Sequence, residues 1–289
     1  MSKKYDLAIL VVLYNKEIEQ SKTVSSILYL DGSIKDCHIT LWNNGPNLLE
    51  NSKSEGLSDK GFDVSIKETV NNISLSRIYN EFIGDIEANK YVILDDDSEL
   101  SEEYLLEMAS CDKTELGIPV IYSHDKVRSP LLNYTAITTL SNETLSSKDI
   151  LIAIGSGMVI GKEISNEMKQ NFGSVFDERF YFYGVDATFC KRIKMANLNH
   201  RIRIISGFNH SLSRLENESK NVKDFRSKER AYDKALQIIY YTTPVKKLPL
   251  FLFTVLNEII YRIKRKNKSI SLVNLAKAIL SGKHYRSDY

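Results

Sequence analysis

Residues 7–13, Leu-Ala-Ile-Leu-Val-Val-Leu, are apolar without a single polar interruption, and three of them (Ile9, Val11 and Val12) are β-branched. A strand with one wet face alternates in polarity. An unbroken run of this kind buries both faces, which is the demand of a parallel sheet covered by helices on each side. The residues that follow fit that demand. Helical spacing over 16–30 places Ile18, Val24, Ile27 and Leu28 on one side. Strands are predicted over 38–42, 62–66 and 91–94, and a helix over 74–86, with the turn Asn43-Asn44-Gly45-Pro46 between. Strand, helix, strand, strand, helix, strand within a hundred residues makes βαβ units, and so an α/β protein.

The later chain is less regular. Strands are predicted over 116–122, 153–160 and 200–205, and a helix over 186–196 behind an aromatic cluster that begins at Phe176. The polar excursion over 123–150 is long for a connection inside a compact domain, which marks it as functional or mobile. From residue 219 the pattern is helical and amphipathic, with a break at Thr243-Pro244. A length of 289 residues suits one large domain with an appendage. The boundary is drawn at 224/225, leaving residues 225–289 as a tail.

The net charge of +2 hides an asymmetry, because residues 246–286 hold ten Lys/Arg against one acid, Glu258. That segment is +9, so the remainder is −7. Beside the basic cluster stand Phe251, Leu252, Phe253, Leu256, Ile259 and Ile260, the composition of a surface anchor for an anionic membrane. Packing on the body, or a homo-oligomer formed through the tail, is the alternative. Nucleic acid is not expected, since no motif supports it. Cys37, Cys111 and Cys190 show no metal-ligand spacing and read as thiols of a reducing, cytoplasmic compartment. The longest C-terminal apolar run, over 248–256, is too short to span a bilayer.

In open α/β sheets, ligands gather at the carboxyl ends of the strands. Here those ends carry Tyr14-Asn15, Asn43-Asn44 and Asp95-Asp96-Asp97. Neither GxGxxG nor GxxxxGK[ST] follows the first strand, which argues against a dinucleotide oxidoreductase and a P-loop ATPase. Aspartates in place of a glycine loop suggest phosphates gripped through a cation, Mn²⁺ or Mg²⁺. A solvated turn ending the strand is the plainer reading of the same aspartates.

Four segments in order resemble glycosyltransferase family 2, its bacterial rhamnosyltransferase-like branch above all. The first strand ends Val-Leu-Tyr14-Asn15. Asn72, Leu75, Ser76, Tyr79 and Asn80, followed by Leu94-Asp95-Asp96-Asp97-Ser98, are similar to N-x-G-L-S-x-A-Y-N … L-D-x-D-[ST]. Residues 176–192 resemble F-D-E-x-F-F-I-D-x-V-D-x-x-x-C-x-R, and His210 follows the next strand. The resemblance covers roughly residues 6–215. Asn43 departs from it by standing where the family commonly has aspartate, and Ser74 by standing where it has glycine.

The resemblance implies a GT-A, Rossmann-like domain over 1–224, with a mixed, mostly parallel central sheet and a C-terminal helical extension. It implies Asp95 at the ribose and Asp97 on the metal, with His210 completing the metal or diphosphate site. Tyr14, Asn15, Asn43, Asn44, Asn72, Asn80 and Asp96 would line the nucleoside pocket. Ser156 and Gly157 would face the donor sugar, while Tyr181 and Tyr183 would stack on an acceptor sugar or pack in the core. Asp186 would be the general base, its plainer role being a helix N-cap. The implied reaction is inverting, metal-dependent sugar transfer from dTDP-L-rhamnose or a UDP-hexose to a lipid-linked glycan in surface-polysaccharide synthesis, at the inner face of the cell membrane. A sugar-nucleotide pyrophosphorylase and a non-catalytic glycan-binding scaffold are the rivals.

Overall fold

The computed structural model describes residues 3–29, 36–50, 54–137, 144–210, 219–264 and 270–287. In chain order the elements are β1 (Tyr5–Leu13), α1 (Lys22–Leu28), β2 (Cys37–Asn43), α2 (Glu55–Asp59), β3 (Asp63–Glu68), α3 (Leu75–Asp85) and β4 (Ala88–Asp95). There follow β5 (Ser98–Glu99), α4 (Glu102–Ser110), β6 (Leu116–Ser123), β7 (Lys126–Ser129), β8 (Leu131–Leu132), β9 (Thr135–Ala136), β10 (Leu151–Ile152) and β11 (Met158–Gly161). The chain continues through α5 (Lys162–Phe172), α6 (Val185–Met195), β12 (Ile202–His210), α7 (Lys220–Tyr241), α8 (Pro244–Ile263) and α9 (Leu272–Ser281).

The main sheet runs β3-β2-β1-β4-β11-β6-β12-β5, with β7 beside β6. It is parallel from β3 to β4 and again between β6 and β12, while β11 pairs antiparallel with both β4 and β6. This is the mixed, mostly parallel α/β sheet with C-terminal helices that the resemblance implied. The run over 7–13 behaves as its composition requires. Ala8, Leu10 and Val12 enter a core with α3 and α6 residues such as Phe82 and Phe189. Leu7, Ile9, Val11 and Leu13 enter a second core with Ile27 of α1 and Tyr104 of α4. Each such buried Leu or Ile contributes about 1.5–3 kcal/mol, so this strand anchors both layers.

Register then aligns the strand ends. Leu13 stands opposite Asn43 and Val12 opposite Asp95, which brings the ends of β1, β2 and β4 to one edge.

Some local expectations change. The helix predicted over 16–30 divides, because the Ser21 side chain accepts from Val24 N and starts α1 afresh after a short 3-10 turn. The strand predicted over 153–160 shrinks to β11, since Gly157 takes φ +87° just before it. The excursion over 123–150 contains β7, β8 and β9, with 138–143 outside the described residues.

The tail is helical, with the break at Thr243-Pro244 as expected. The boundary at 224/225 falls inside α7, whose Leu236 belongs to the same core as β1 and α3. Ala231, Tyr232 and Ala235 of α7 pack on Leu275 and Ala278 of α9. Among the described residues no helix is long and apolar enough to cross a membrane.

Candidate active site

At the end of β4 the three aspartates part company. The Asp96 carboxylate turns back on β1, where it accepts from Tyr14 N at 3.1 Å and from the Lys16 ammonium. Its backbone oxygen accepts from Ser21 Oγ at 3.1 Å, and Thr23 Oγ1 donates to Asp95 O at 2.5 Å. Asp96 is therefore a latch that fixes the loop on α1 and β1. Ser21 and Thr23, wholly buried, are site residues that periodicity alone missed. Their signal was the Ser-Lys-Thr-Val start of α1, a capping pattern that gives no hint of its distant partner.

Asp95 and Asp97 point the other way. Each offers a carboxylate oxygen that lies, with a ring nitrogen of His210, in a group spanning no more than 4.8 Å. His210 Nδ1 is 3.2 Å from Asp97 Oδ1, and Nε2 is 3.7 Å from Asp95 Oδ2. Two short backbone devices bring the histidine there: His210 ends β12 in register with Ser98 of β5, and Ser98 Oγ lies 3.1 Å from Nδ1.

The electrostatics of this cluster would favour a bound cation. Desolvation pushes Asp95 up to about 8, with Asp97, Asp186 and Asp96 adding repulsion. Burial raises Asp97 and lowers His210, each partly opposed by the other. Asp97 Oδ1 is buried with no hydrogen-bond partner. An orphaned acceptor among mutually repelling carboxylates is costly unless a cation completes it. With 40% of its side chain exposed, Asp95 is reachable from solvent. Two carboxylates and a neutral imidazole suit Mn²⁺ or Mg²⁺.

The asparagines mostly serve the scaffold. Asn43 is buried, donates to Asn47 O at 2.7 Å and Glu68 Oε2 at 2.8 Å, and accepts from Gly45 N at 3.0 Å. Asn44 is buried and bonded to Asn72, Ile73 and Thr69. Asn80 grips the Phe176 backbone through both its amide groups and reaches Glu178. These amides brace the strand ends and α3 through protein partners. Asn72 takes φ +49°, and its backbone oxygen accepts from Arg286. Tyr14 (49% exposed) and the exposed Asn15, at φ +54°, remain available at the edge.

Ser156 is buried beneath the same strand end, its Oγ accepting from Asp95 N at 3.0 Å. Gly157 donates to Ile93 O, and a Cβ there would meet Phe208 Cε1 at 2.6 Å. Ser156 holds Asp95 from behind, and Gly157 ties the same segment to β4 at Ile93. Their neighbour Gly155 was missed. A Cβ on it would stand 2.9 Å from Asp186 Cγ, with Oδ1 nearer still. The absence of a side chain at 155 is what lets Asp186 lie where it does.

Asp186 is not the N-cap. Gly184, at φ +84°, caps α6, and Asp186 is the second helical residue, in the first turn where the helix dipole favours negative charge. Asp186 and Asp95 both raise the buried Tyr79 hydroxyl, after the effect of burial itself, so the two carboxylates border one region. Tyr181 is already stacked: its ring lies 4.4 Å from His284 at 9°, and its hydroxyl donates to Arg286 O at 2.6 Å. The chain's own C-terminal segment thus covers the face proposed for a sugar. Tyr183 packs edge-on against Phe182, with Arg230 5.7 Å from its ring centroid.

No protein-family model matches the chain, and no curated protein matches it by sequence. Solved structures do. TarS of S. aureus superposes with a TM-score of 0.53 at 16% identity over 93% of this chain, which spans 44% of that protein's length. Residues 1–349 of TarS in complex with UDP-GlcNAc give 0.53 at 12% identity, over 96% of this chain and 80% of that one. The mannosyltransferase PcManGT from Pyrobaculum calidifontis, in complex with GDP-Man and Mn²⁺, gives 0.53 at 12% identity, over 99% and 77%. The chain has the fold of these proteins.

Proposed function

We propose that the protein is an inverting glycosyltransferase that moves a sugar from a nucleoside-diphosphate donor, dTDP-L-rhamnose or a UDP-hexose, to a lipid-linked glycan of a bacterial surface polysaccharide. The observation that carries this reading is the opposition of two acidic groups. Asp95, Asp97 and His210 cluster on the sheet edge as a group that could hold a cation, and Asp186 approaches from a separate helix, against Gly155. Solved proteins of this fold hold UDP-GlcNAc in one case and GDP-Man with Mn²⁺ in another, which supports the donor class.

The residues divide the work as follows. Asp97 and His210 would hold Mn²⁺ or Mg²⁺, joined by Asp95, which the resemblance set at the ribose but which stands in the same cluster; the cation would neutralise the leaving diphosphate. Tyr14 and Asn15 are exposed beside them and offer a ring face and an amide to the nucleoside. Since the Asn43 amide is engaged within the protein, base selection falls to this edge and its backbone. Asp186 accepts the acceptor hydroxyl proton as that oxygen bonds to the anomeric carbon. The bond from that carbon to the diphosphate oxygen breaks on the opposite face, and its electron pair leaves with the nucleotide. Ser156 fixes Asp95, Gly157 ties to Ile93, and Ser21, Thr23 and Lys16 fix the loop.

Thermal unfolding with UDP, dTDP and GDP tests the donor half. Stabilisation by a nucleoside diphosphate should appear with Mn²⁺ or Mg²⁺ and largely vanish in EDTA or in Asp97→Asn. Equal stabilisation in EDTA would refute the cation-held diphosphate.

A further inference from the structure

Helix α8 is apolar on its solvent side as well as on the side that packs against the protein. Val245, Leu248, Leu252, Leu256, Ile259 and Ile263 recur at intervals of three or four residues, so they form one stripe along the helix. All six are turned outward, between 42% and 86% exposed. The opposite face packs Phe251 and Val255 on the core that α7 and α9 share, and it buries two polar side chains as well. Thr254 is buried and donates to Leu250 O at 2.7 Å, and Glu258, 3% exposed, meets Arg262 Nε at 3.2 Å. The stripe runs for about 27 Å at 1.5 Å per residue, a continuous apolar strip that a water-facing surface rarely carries.

Charge says what covers it. Lys246 and Lys247 stand at the start of α8, and Arg262 and Lys264 at its end. Arg265, Lys266 and Lys268, outside the described residues, continue the run in sequence. Glu258 is the one acid between residues 246 and 286, and it is buried against the protein, so the outward face of α8 bears no anion. A second copy docked by two-fold symmetry on the same patch would bring the two cationic ends together. A polyanionic, apolar layer satisfies both the stripe and its flanks. The helix does not cross that layer, since no described helix is apolar enough to do so.

We infer that the outer face of α8 lies in the headgroup region of an anionic lipid bilayer, with its lysines and arginines among the phosphates. This rests on the surface of α8 alone and stands independently of the proposed transfer reaction. Flotation with vesicles of phosphatidylcholine, alone or mixed with phosphatidylglycerol, tests it. The protein should float with the mixed vesicles, and raising salt from about 0.1 M to 1 M should weaken binding roughly tenfold or more. Leu252→Asp and Leu256→Asp alter only exposed positions, so the double variant should remain folded and keep its nucleotide-dependent thermal shift while losing flotation. Equal binding to neutral vesicles, or no binding to either kind, would overturn the inference. So would a wild-type dimer in sedimentation velocity that the double variant converts to monomer, because α8 would then face a second copy.

Discussion

Replacing Gly155 with alanine should lower sugar transfer by about 10–100-fold while leaving nucleotide binding nearly intact. The magnitude comes from one close contact. The new Cβ would stand 2.9 Å from Asp186 Cγ and nearer still to Oδ1, whereas ordinary contact begins at 3.4 Å, so the carboxylate must retreat by roughly half an ångström at Cγ and about 1 Å at Oδ1. Asp186 sits in the first turn of α6, whose buried Val185 and Phe189 tie the helix to the core, so the side chain must yield. A misplacement approaching 1 Å at a reacting group costs about 10²-fold, and half that distance correspondingly less. Overpacking should cost about 1–3 kcal/mol of stability, read as a lowered Tm. The assay is nucleotide release from the donor in the presence of acceptor, with kcat and KM separated. The loss should fall on kcat and should not add to the loss in Asp186→Asn, because both changes act on one group. Wild-type turnover in folded Gly155→Ala protein would refute the placement of Asp186 at the reaction.

Gly157→Ala should be more damaging to folding than to chemistry, since φ +87° and a 2.6 Å approach to Phe208 combine conformational strain with overpacking. A loss of about 2–4 kcal/mol in urea unfolding is expected, and a change under 1 kcal/mol would contradict it. Asp177 is buried with Arg192, so Asp177→Asn should cost about 3–5 kcal/mol by stranding that guanidinium. Burial alone would raise Asp177, but hydrogen bonds from Arg179 and Tyr241 and the Arg192 charge hold it below the usual carboxylate range. Its stabilisation is therefore present above the unfolded value of about 4 and is lost as pH falls through the lower folded value; acid titration of Tm should show an increment that Asp177→Asn lacks. Burial pushes Cys37 and Cys190 up to about 12 and Cys111 up to about 11, so a thiol reagent at pH 8 should label none until the protein unfolds.

What the sequence disclosed is what local pattern can encode. The apolar run over 7–13 determined its own environment, and with it the sheet and the edge where Asp95 and Asp97 stand. The antiparallel insertion of β11 between β4 and β6 was not legible, because non-local pairing leaves no periodic trace in a four-residue strand. Polar residues at strand ends proved ambiguous for a physical reason. An asparagine beside a ligand and one that satisfies backbone look alike in sequence, and Asn43, Asn44 and Asn80 each bond to backbone groups of distant segments. Gly155 could not be singled out from its neighbour Gly157 without the fold, since its role is to leave room for a residue 31 positions away. The tail's composition showed apolar and basic character; only packing revealed that α8 turns its apolar stripe outward.

The most direct test of the account is nucleotide release by Asp186→Asn measured beside nucleotide binding by the same protein. The amide keeps the shape of the carboxylate at the second position of α6 and removes its basicity. With wild-type donor turnover first established, the variant should release nucleotide about 10²–10⁴-fold more slowly in the presence of acceptor. Its Mn²⁺-dependent stabilisation by nucleoside diphosphate should match the wild type, since Asp95, Asp97 and His210 are untouched. Undiminished turnover in Asp186→Asn protein that still binds nucleotide would contradict the assignment of the base.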